Sequence, residues 1–98
     1  MSQDILMILK YDYYRELLDE KEREYFEYYY FDNMSLQEIS ESYDVSRNAV
    51  HKTLKKTKEK LDNYEEKLHL IEKSNKLKKI IENIKDEKLK QELLEIDL

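Results

Sequence analysis

The chain of 98 residues contains no glycine and no proline. Glycine supplies the positive φ angles that tight β-hairpin turns need, whereas proline interrupts helices. The absence of both residues, together with abundant Leu, Lys, Glu and Ile, predicts an all-α fold. The length allows one small domain with an extension, since domains commonly run from about 50 to 250 residues.

Capping residues and apolar spacings predict six helices along the chain. The first three are expected over about 3–18, 20–31 and 36–43, and the fourth begins after Ser46. Two shorter helices follow in the C-terminal tail. The residues expected to cap these helices are Ser2, Asp19, Ser35, Ser46, Ser74 or Asn75, and Asp86. Asp19 and Ser35 are each followed three residues later by a glutamate, which is the spacing of a capping box.

Apolar spacing also predicts the buried side of each helix. The candidates are Ile5, Leu6, Leu9, Tyr13 and Leu17 in the first helix, and Phe26, Tyr29 and Tyr30 in the second. The tyrosines at 28–30 have an alternative interpretation, which is stacking on the bases of single-stranded RNA. Consecutive residues point about 100° apart around a helix, so these rings cannot form one platform. Packing in the core and at its rim is the better interpretation.

Residues 34–56 have the pattern of two short helices joined by a tight turn. A helix-turn-helix unit needs an apolar residue in its first helix, one at the turn and two in its second helix. The residues at these places are Ile39, Val45, Val50 and Leu54. The close crossing of the two helices favours a small residue, and Ser40 is small. Asp44 stands where many such motifs have glycine, because aspartate tolerates a left-handed conformation.

The fourth helix is expected to be long, because apolar residues continue at alternating spacings of four and three, as in a heptad seam. These residues are Val50, Leu54, Thr57, Leu61, Tyr64, Leu68 and Ile71. A break predicted at 73–75 divides the chain into a helix-turn-helix domain over 1–72, which includes this long helix, and a C-terminal helical extension over 73–98.

The second half of the seam has two interpretations. It either receives the tail helices of the same chain in a monomer or meets a second copy in a homodimer. We favour the homodimer, because a small helical core cannot cover so long a stripe. The residues of this dimer or partner seam are Leu61, Tyr64, Leu68 and Ile71.

Charge is distributed unevenly along the sequence. The chain has 18 basic and 23 acidic residues, and the resulting net charge of −5 opposes indiscriminate binding to nucleic acid. Residues 45–60, however, hold six basic residues and one acidic residue, and they form the basic island of the sequence. This island coincides with the start of the fourth helix.

When each residue advances by 100°, Asn48, His51, Lys52 and Lys55 lie opposite Val50 and Leu54, and Arg47 lies on the flank. The candidate DNA-binding residues are Ser46, Arg47, Asn48, His51, Lys52 and Lys55. In a major groove, arginine can donate to guanine and asparagine can pair with adenine, whereas lysines and the N–H groups of a helix start contact phosphates. The alternative is an ordinary solvated face, which carries the same residue types. The coincidence with the basic island favours the groove.

Several motifs resemble known bacterial families. A helix after "EKER" followed by "EIS…YDVS…AV" resembles region four of bacterial sigma factors. More closely, "EKEREY", "YYYFDNMSL", "EISESYDVSRNAV" and "YEEKL" resemble the YlxM family, small bacterial proteins encoded beside genes of the signal recognition particle. The resemblance covers nearly the whole chain and is firmest over residues 14–70. It implies a DNA-binding regulator and, from gene neighbourhood, a link to the signal recognition particle pathway.

Other classes of function have little support in the sequence. The chain has no cysteine, which removes thiolate metal sites and fits a cytoplasmic location. His51, His69 and Glu65 are too sparse for a metal site, so neither a metal nor a cofactor is expected. No nucleophile stands beside a recognisable base, and a phosphate-binding loop would need glycine, so an enzyme is not expected. The short N-terminal apolar run fits neither a signal peptide nor a membrane span.

The residues therefore favour a regulatory protein that binds DNA through the start of its fourth helix. The rival interpretation is a protein-interaction module that contacts a signal recognition particle component or RNA polymerase through its acidic N-terminal half and its seam. Recognition of the particle's RNA is a third possibility, although the sequence has no RNA-specific motif.

Overall fold

A computed structural model describes residues 3–96, which form six α-helices and no strand. In chain order these are α1 (Gln3–Tyr14), α2 (Glu20–Tyr30), α3 (Leu36–Tyr43), α4 (Arg47–Leu68), α5 (Leu70–Glu82) and α6 (Glu87–Leu94). A short 3-10 turn, Arg15–Leu17, follows α1 directly. The predicted all-α class is therefore confirmed. The expected cap Ser2 lies outside the described residues.

Side-chain caps begin several helices where the sequence predicts them. Asp19 accepts the N–H of Glu22 at 2.8 Å, and the Glu22 carboxylate accepts the N–H of Asp19 at 3.0 Å. Ser35 and Glu38 form the same reciprocal pair at 3.0 Å. Asp86 accepts two N–H bonds at the start of α6. Each capping box satisfies two N–H groups that a helix start otherwise leaves unpaired.

The core of the helix-turn-helix unit joins α2, α3 and α4. Its fully buried side chains are Tyr25, Ile39, Val50 and Leu54, and the partly buried Tyr28, Met34, Leu36, Tyr43 and Val45 pack against them. Full burial of one such aliphatic side chain contributes about 1.5–3 kcal/mol. Ser40 is only 3% exposed, and its hydroxyl donates to the carbonyl of Gln37 at 2.7 Å. The four apolar positions and the small residue of the predicted motif are therefore part of this packing.

Aromatic rings connect α1 with α2 and α4. Tyr11 stacks on Phe26 with ring centroids 4.3 Å apart, and Phe26 stacks on Tyr30 at 4.4 Å. The ring centroids of Tyr14 and of Tyr64 on α4 are 5.9 Å apart. These large rings supply apolar area that a small core lacks, since each aromatic side chain buries about 150–250 Å².

The buried side of α1 and of the turn after it differs from the predicted one. The fully buried side chains are Tyr11, Tyr14 and Leu18. On the predicted side, Ile5, Leu6 and Leu17 are exposed, and the other two predicted residues are partly buried. The hydroxyl groups of the two buried tyrosines donate to Glu27 and Glu65. Because carboxylates distant in sequence accept these hydroxyl groups, the two tyrosines can be buried where the apolar spacing predicts leucine to be buried.

The second helix follows its prediction only in part. Phe26 is buried as predicted, and Tyr30 is partly buried, but Tyr29 is 37% exposed. Tyr25 takes the second buried position, with its ring edge-on to Tyr43 of α3 at 4.8 Å. The prediction for Tyr29 is wrong: this residue lies one helical turn after Tyr25, at the C-terminal end of α2, with its ring edge-on to that of the partly buried Tyr30 at 5.1 Å.

The break after the fourth helix also differs from the predicted one. Helix α4 ends at Leu68, and His69 takes a left-handed conformation with φ of 55°. Helix α5 continues through the predicted break at 73–75, with Ser74 only 4% exposed. Histidine is among the residues that tolerate positive φ, whereas a serine at the spacing of a buried helix face does not have to act as a cap.

Two compact units result, one extending to Lys67 and the other beginning at Leu68. In the second unit α5 contacts α6, and the buried side chains of α5 are Ile71, Ser74 and Ile81. The sequence places the domain boundary between 72 and 73, and that division into domains remains a prediction.

Candidate DNA-binding surface

A turn without glycine places the start of α4. Asp44 has φ of 54°, and the N–H of Val45 donates to the carbonyl of Ser40 at 3.0 Å. The Ser46 hydroxyl oxygen accepts the N–H of Ala49 at 3.0 Å, so Ser46 caps α4 as predicted. The caps of α3 and α4, with the bond across the turn, hold the two helices as a helix-turn-helix unit.

Burial separates two sides at the start of α4. Val50 and Leu54 are 0% and 4% exposed and lie in the core. The six predicted DNA-binding residues are all exposed: Ser46, Arg47, Asn48, His51, Lys52 and Lys55. Five of them, without Arg47, surround a shallow depression of about 580 Å³. The predicted inner and outer sides of this helix segment are therefore observed.

Ala49 completes the rim of this depression, although the sequence did not single it out. Its position in the sequence, between Asn48 and Val50, could have indicated this role. The structure shows that Ala49 is exposed and that Val50 is buried. A methyl group at this place can contact the C5-methyl of thymine, which is an apolar form of base recognition.

The cations of this surface form no ion pair within the described chain. Neither Arg47 nor Lys52 nor Lys55 has a carboxylate within salt-bridge distance among residues 3–96. An exposed cation in water is available to a phosphate, and its transfer to DNA releases counterions. The three charges are thus available for a partner.

Other cations of the same helix are engaged by the fold. Lys60 Nζ lies 2.8 Å from Glu22 Oε2, and the side chain of Glu22 is only 4% exposed. The hydrogen bond to Glu22 raises the pKa of Lys60 above its usual value, against the opposing effect of burial. Lys58 lies over the ring of Tyr30, with 5.3 Å between Nζ and the ring centroid. The basic island therefore contains both structural and available charges.

Two tyrosine hydroxyls in the first unit donate to carboxylates of α2. The hydroxyl of Tyr43 donates to Glu24, and that of Tyr11 donates to Glu27. Burial raises the pKa of both tyrosines well above the usual value, and the neighbouring carboxylates raise it further. These phenols stay protonated as hydrogen-bond donors at neutral pH.

The predicted dimer or partner seam is divided by burial. Leu61 has no exposed surface and belongs to the core of the first unit, so it cannot meet a second chain without unfolding. Tyr64 is partly buried, and its hydroxyl donates to the carbonyl of Leu17 at 3.3 Å. Leu68 is 43% exposed, whereas Ile71 is 8% exposed. Leu68 thus has the largest exposed fraction of the four.

The histidines and carboxylates do not converge in the part of the chain that the structure describes. No group of three or more His, Cys, Asp or Glu side chains with metal-site geometry occurs within residues 3–96. His69 Nδ1 lies 3.1 Å from Glu72 Oε2, and Glu65 accepts the hydroxyl of Tyr14. None of the described helices is both long enough and apolar enough to cross a membrane.

The capped α3, the left-handed turn and the exposed start of α4 define a helix-turn-helix protein. The profile of the family described as "Putative helix-turn-helix protein, YlxM / p13 like" matches residues 1–98. The chain belongs to this family, which is also called UPF0122, and the resemblance inferred from its motifs is confirmed.

Similar proteins share this family name. A UPF0122 protein of Caldanaerobacter subterraneus is 48% identical over 88% of this chain and 74% of its own length. A UPF0122 protein of a Thermoanaerobacter species is 44% identical over 98% of this chain and 89% of its own length. A UPF0122 protein of Listeria innocua is 38% identical over 91% and 81% of the two lengths.

Proposed function

We propose that this protein binds DNA through the start of α4 and acts as a non-enzymatic regulator of gene expression. The observation that carries the proposal is the set of exposed, unpaired cations on the outer side of a capped helix-turn-helix unit. Such a helix start matches the width of the major groove, which admits an α-helix. The net charge of −5 disfavours binding elsewhere on the surface and so favours a single orientation.

The exposed residues divide into base-reading and phosphate-binding roles. We assign Arg47 to guanine and Asn48 to adenine, because their side chains match the hydrogen-bond pattern of those bases. His51, on the same side, reaches a base edge or a phosphate. Lys52 and Lys55 contact phosphates, which fix the register of the protein but carry no sequence information.

The finer parts of the proposal are a cytoplasmic location, a homodimer and a link to the signal recognition particle pathway. A homodimer would place two copies of α4 on paired half-sites, about one helical turn of DNA apart. The link to the particle rests on the resemblance of the motifs to the YlxM family. Genes of the secretion machinery are accordingly the first targets to test.

A DNA titration followed by fluorescence anisotropy tests this function. The probes are a duplex from the upstream region of the gene and a scrambled duplex, each at two salt concentrations. The phosphate contacts of Lys52 and Lys55 predict a slope of roughly −2 for each bound copy of the chain, and of roughly −4 for a homodimer, in a plot of log affinity against log salt concentration. The paired substitution Arg47→Glu and Lys52→Glu should abolish binding. The matched control Lys78→Glu and Lys85→Glu changes the charge equally on exposed residues of the second unit and should bind nearly as the native protein does.

A protein-interaction module is the rival function, and the surface of the N-terminal segment favours it. Residues 1–44 hold four basic and twelve acidic residues, and Leu6 and Leu17 are 39% and 52% exposed in the same segment. A partner with a basic, partly apolar surface, such as a signal recognition particle component or RNA polymerase, would fit. The absence of DNA binding even at low salt would contradict our proposal and favour this rival. Binding of the particle's RNA instead of DNA would likewise exclude a DNA regulator.

A further inference from the structure

Ala49 is the apolar residue of an otherwise polar surface at the start of α4. The other five residues around the shallow depression carry a hydroxyl, an amide, an imidazole or an ammonium group: Ser46, Asn48, His51, Lys52 and Lys55. The remaining aliphatic side chains between 46 and 56, those of Val50 and Leu54, are buried. An approaching molecule therefore meets one exposed methyl group among charged and hydrogen-bonding groups.

The fold fixes the position of this methyl group. The N–H of Ala49 donates to the hydroxyl oxygen of Ser46 at 3.0 Å, which holds the backbone of the first turn of α4. An alanine methyl group is bonded directly to the Cα atom, so the backbone alone determines where it lies, and burying it costs no side-chain entropy. The longer side chains of Asn48 and Lys52 must instead be ordered when they bind.

The small size of Ala49 allows a partner to approach the helix closely. Alanine has the shortest side chain of the six residues around the depression. With about 100° between successive residues, Lys52 lies about 60° and Asn48 about 100° around the helix from Ala49, both in the same direction. A group that projects from DNA can therefore reach the methyl group of Ala49 while Asn48 contacts a base edge and Lys52 contacts a phosphate.

The major groove of DNA contains an apolar group that matches this place. This group is the C5-methyl of thymine, whereas the groove otherwise presents hydrogen-bond donors and acceptors on the base edges. We propose that Ala49 recognises this methyl group and thereby requires thymine at one fixed position in the DNA site of each α4. Uracil lacks the methyl group, and the major groove of an RNA helix is too deep and narrow for side chains to read. The same contact therefore selects DNA over RNA.

The inference rests on the proposed binding of DNA through α4, and its test removes one methyl group from the DNA. The probes are a duplex that the native protein selects from a random pool and copies of it in which one thymine at a time is replaced by uracil. This replacement keeps the base pairing and the charge. Fluorescence anisotropy should show a loss of affinity of roughly fourfold at one thymine in each site, as expected for one buried methyl group, and little change at the others.

Ala49→Gly should make the thymine and uracil duplexes bind equally, because the protein then lacks its own methyl group. Glycine also weakens the start of a helix, but both duplexes are measured with the same variant, so a loss of folded protein cancels in the ratio of the two affinities. The control is Lys52→Ala. It should lower the affinity for both duplexes and keep the native ratio, because a phosphate contact carries no information about the base.

Three results would overturn the inference while leaving DNA binding intact. They are a selected duplex without thymine, a native protein that binds every uracil duplex as tightly as the thymine duplex, and an Ala49→Gly variant that keeps the native ratio. The last result would assign recognition of the methyl group to another residue. A native protein that binds no duplex from the pool would contradict the proposed function, and the inference with it.

Discussion

The two halves of α4 belong to one continuous helix but use their polar side chains differently. In the first half, Arg47, Lys52 and Lys55 are exposed and unpaired within residues 3–96. In the second half, Lys60 pairs with Glu22 and Asp62 pairs with Lys10 at 2.8 Å. The second half therefore holds α4 against α1 and α2, and the first half leaves its charges for a partner.

This difference shows why the charge of a segment does not measure its capacity to bind DNA. Six basic residues form the basic island, but the fold engages some of them. A salt bridge across the fold gives stability, whereas an unpaired cation gives affinity for phosphate. Substitutions in the two halves should thus affect different quantities, stability in one and binding in the other.

The largest effect on stability is expected for a substitution in the part of α4 that is buried in the core. Val50→Asp would bury an unpaired charge at a position with 0% exposure and should destabilise the unit by about 3 kcal/mol or more. The adjacent His51→Asp, on the exposed side, is the matched control and should melt within a few degrees of the native protein. Thermal unfolding followed by circular dichroism measures both. An unchanged melting curve for Val50→Asp would reverse the assigned inner and outer sides.

Removal of the Lys60 ammonium group is expected to have the next largest effect on stability. Lys60→Ala would leave the buried carboxylate of Glu22 without its ion pair and with the N–H of Asp19 as its remaining donor, and we expect a loss of about 2 kcal/mol. This value lies below that for a fully buried pair, because the Lys60 side chain is 34% exposed. Lys55→Ala on the exposed side serves as the control for urea denaturation. Equal stability of the two variants would show that the pair does not stabilise the fold.

The capping box of α2 should contribute a smaller amount, and acid should remove it. The N–H of Glu22 lowers the pKa of Asp19 below its usual value of 3.8, and the Ser35 N–H likewise lowers the pKa of Glu38. A carboxyl group whose pKa is lower in the folded than in the unfolded state stabilises the fold at pH values above its unfolded-state pKa. This contribution is lost as the pH falls through its folded-state pKa. Asp19→Ala should cost about 1 kcal/mol at neutral pH, and the variant should lose less stability than the native protein as the pH falls below about 4. Chemical denaturation at several pH values, with Asp32→Ala as control, checks this expectation.

The smallest effect on stability is expected at the binding surface itself. Arg47→Glu with Lys52→Glu removes no ion pair within the described residues and should change the free energy of unfolding by less than about 0.5 kcal/mol. DNA affinity should nevertheless fall sharply, because two cations become anions beside the phosphates. A large loss of stability in this variant would assign these charges to the fold and remove the contrast between the two halves.

Interactions within one helical turn could be predicted from the sequence. Asp19 and Ser35 each stand three residues before a glutamate, and both capping boxes form. The alternation of apolar and polar residues around Val50 likewise identified the exposed side of α4, because one short segment contains the whole pattern. The helix-turn-helix unit and the exposure of its candidate residues were therefore predictable.

Interactions between distant residues could not be predicted in this way. Lys60 and Glu22 are 38 residues apart, and Tyr14 and Glu65 are 51 apart. No local spacing indicates that a tyrosine on α1 has a carboxylate partner on α4, so its burial and the true inner side of α1 were missed. The left-handed His69 was also missed, because histidine tolerates positive φ but carries no local pattern that marks it as a helix break.

DNA contact by the first half of α4 is tested most directly by NMR of the isotope-labelled native protein during addition of the upstream duplex. We predict shifts of the amide signals of residues 46–55, together with the Asn48 side-chain amide and the His51 ring, while signals of residues 57–66 stay in place. Unchanged signals over 46–55 with shifts in the second half of α4, in α5 or in α6 would contradict the assignment of this surface to DNA.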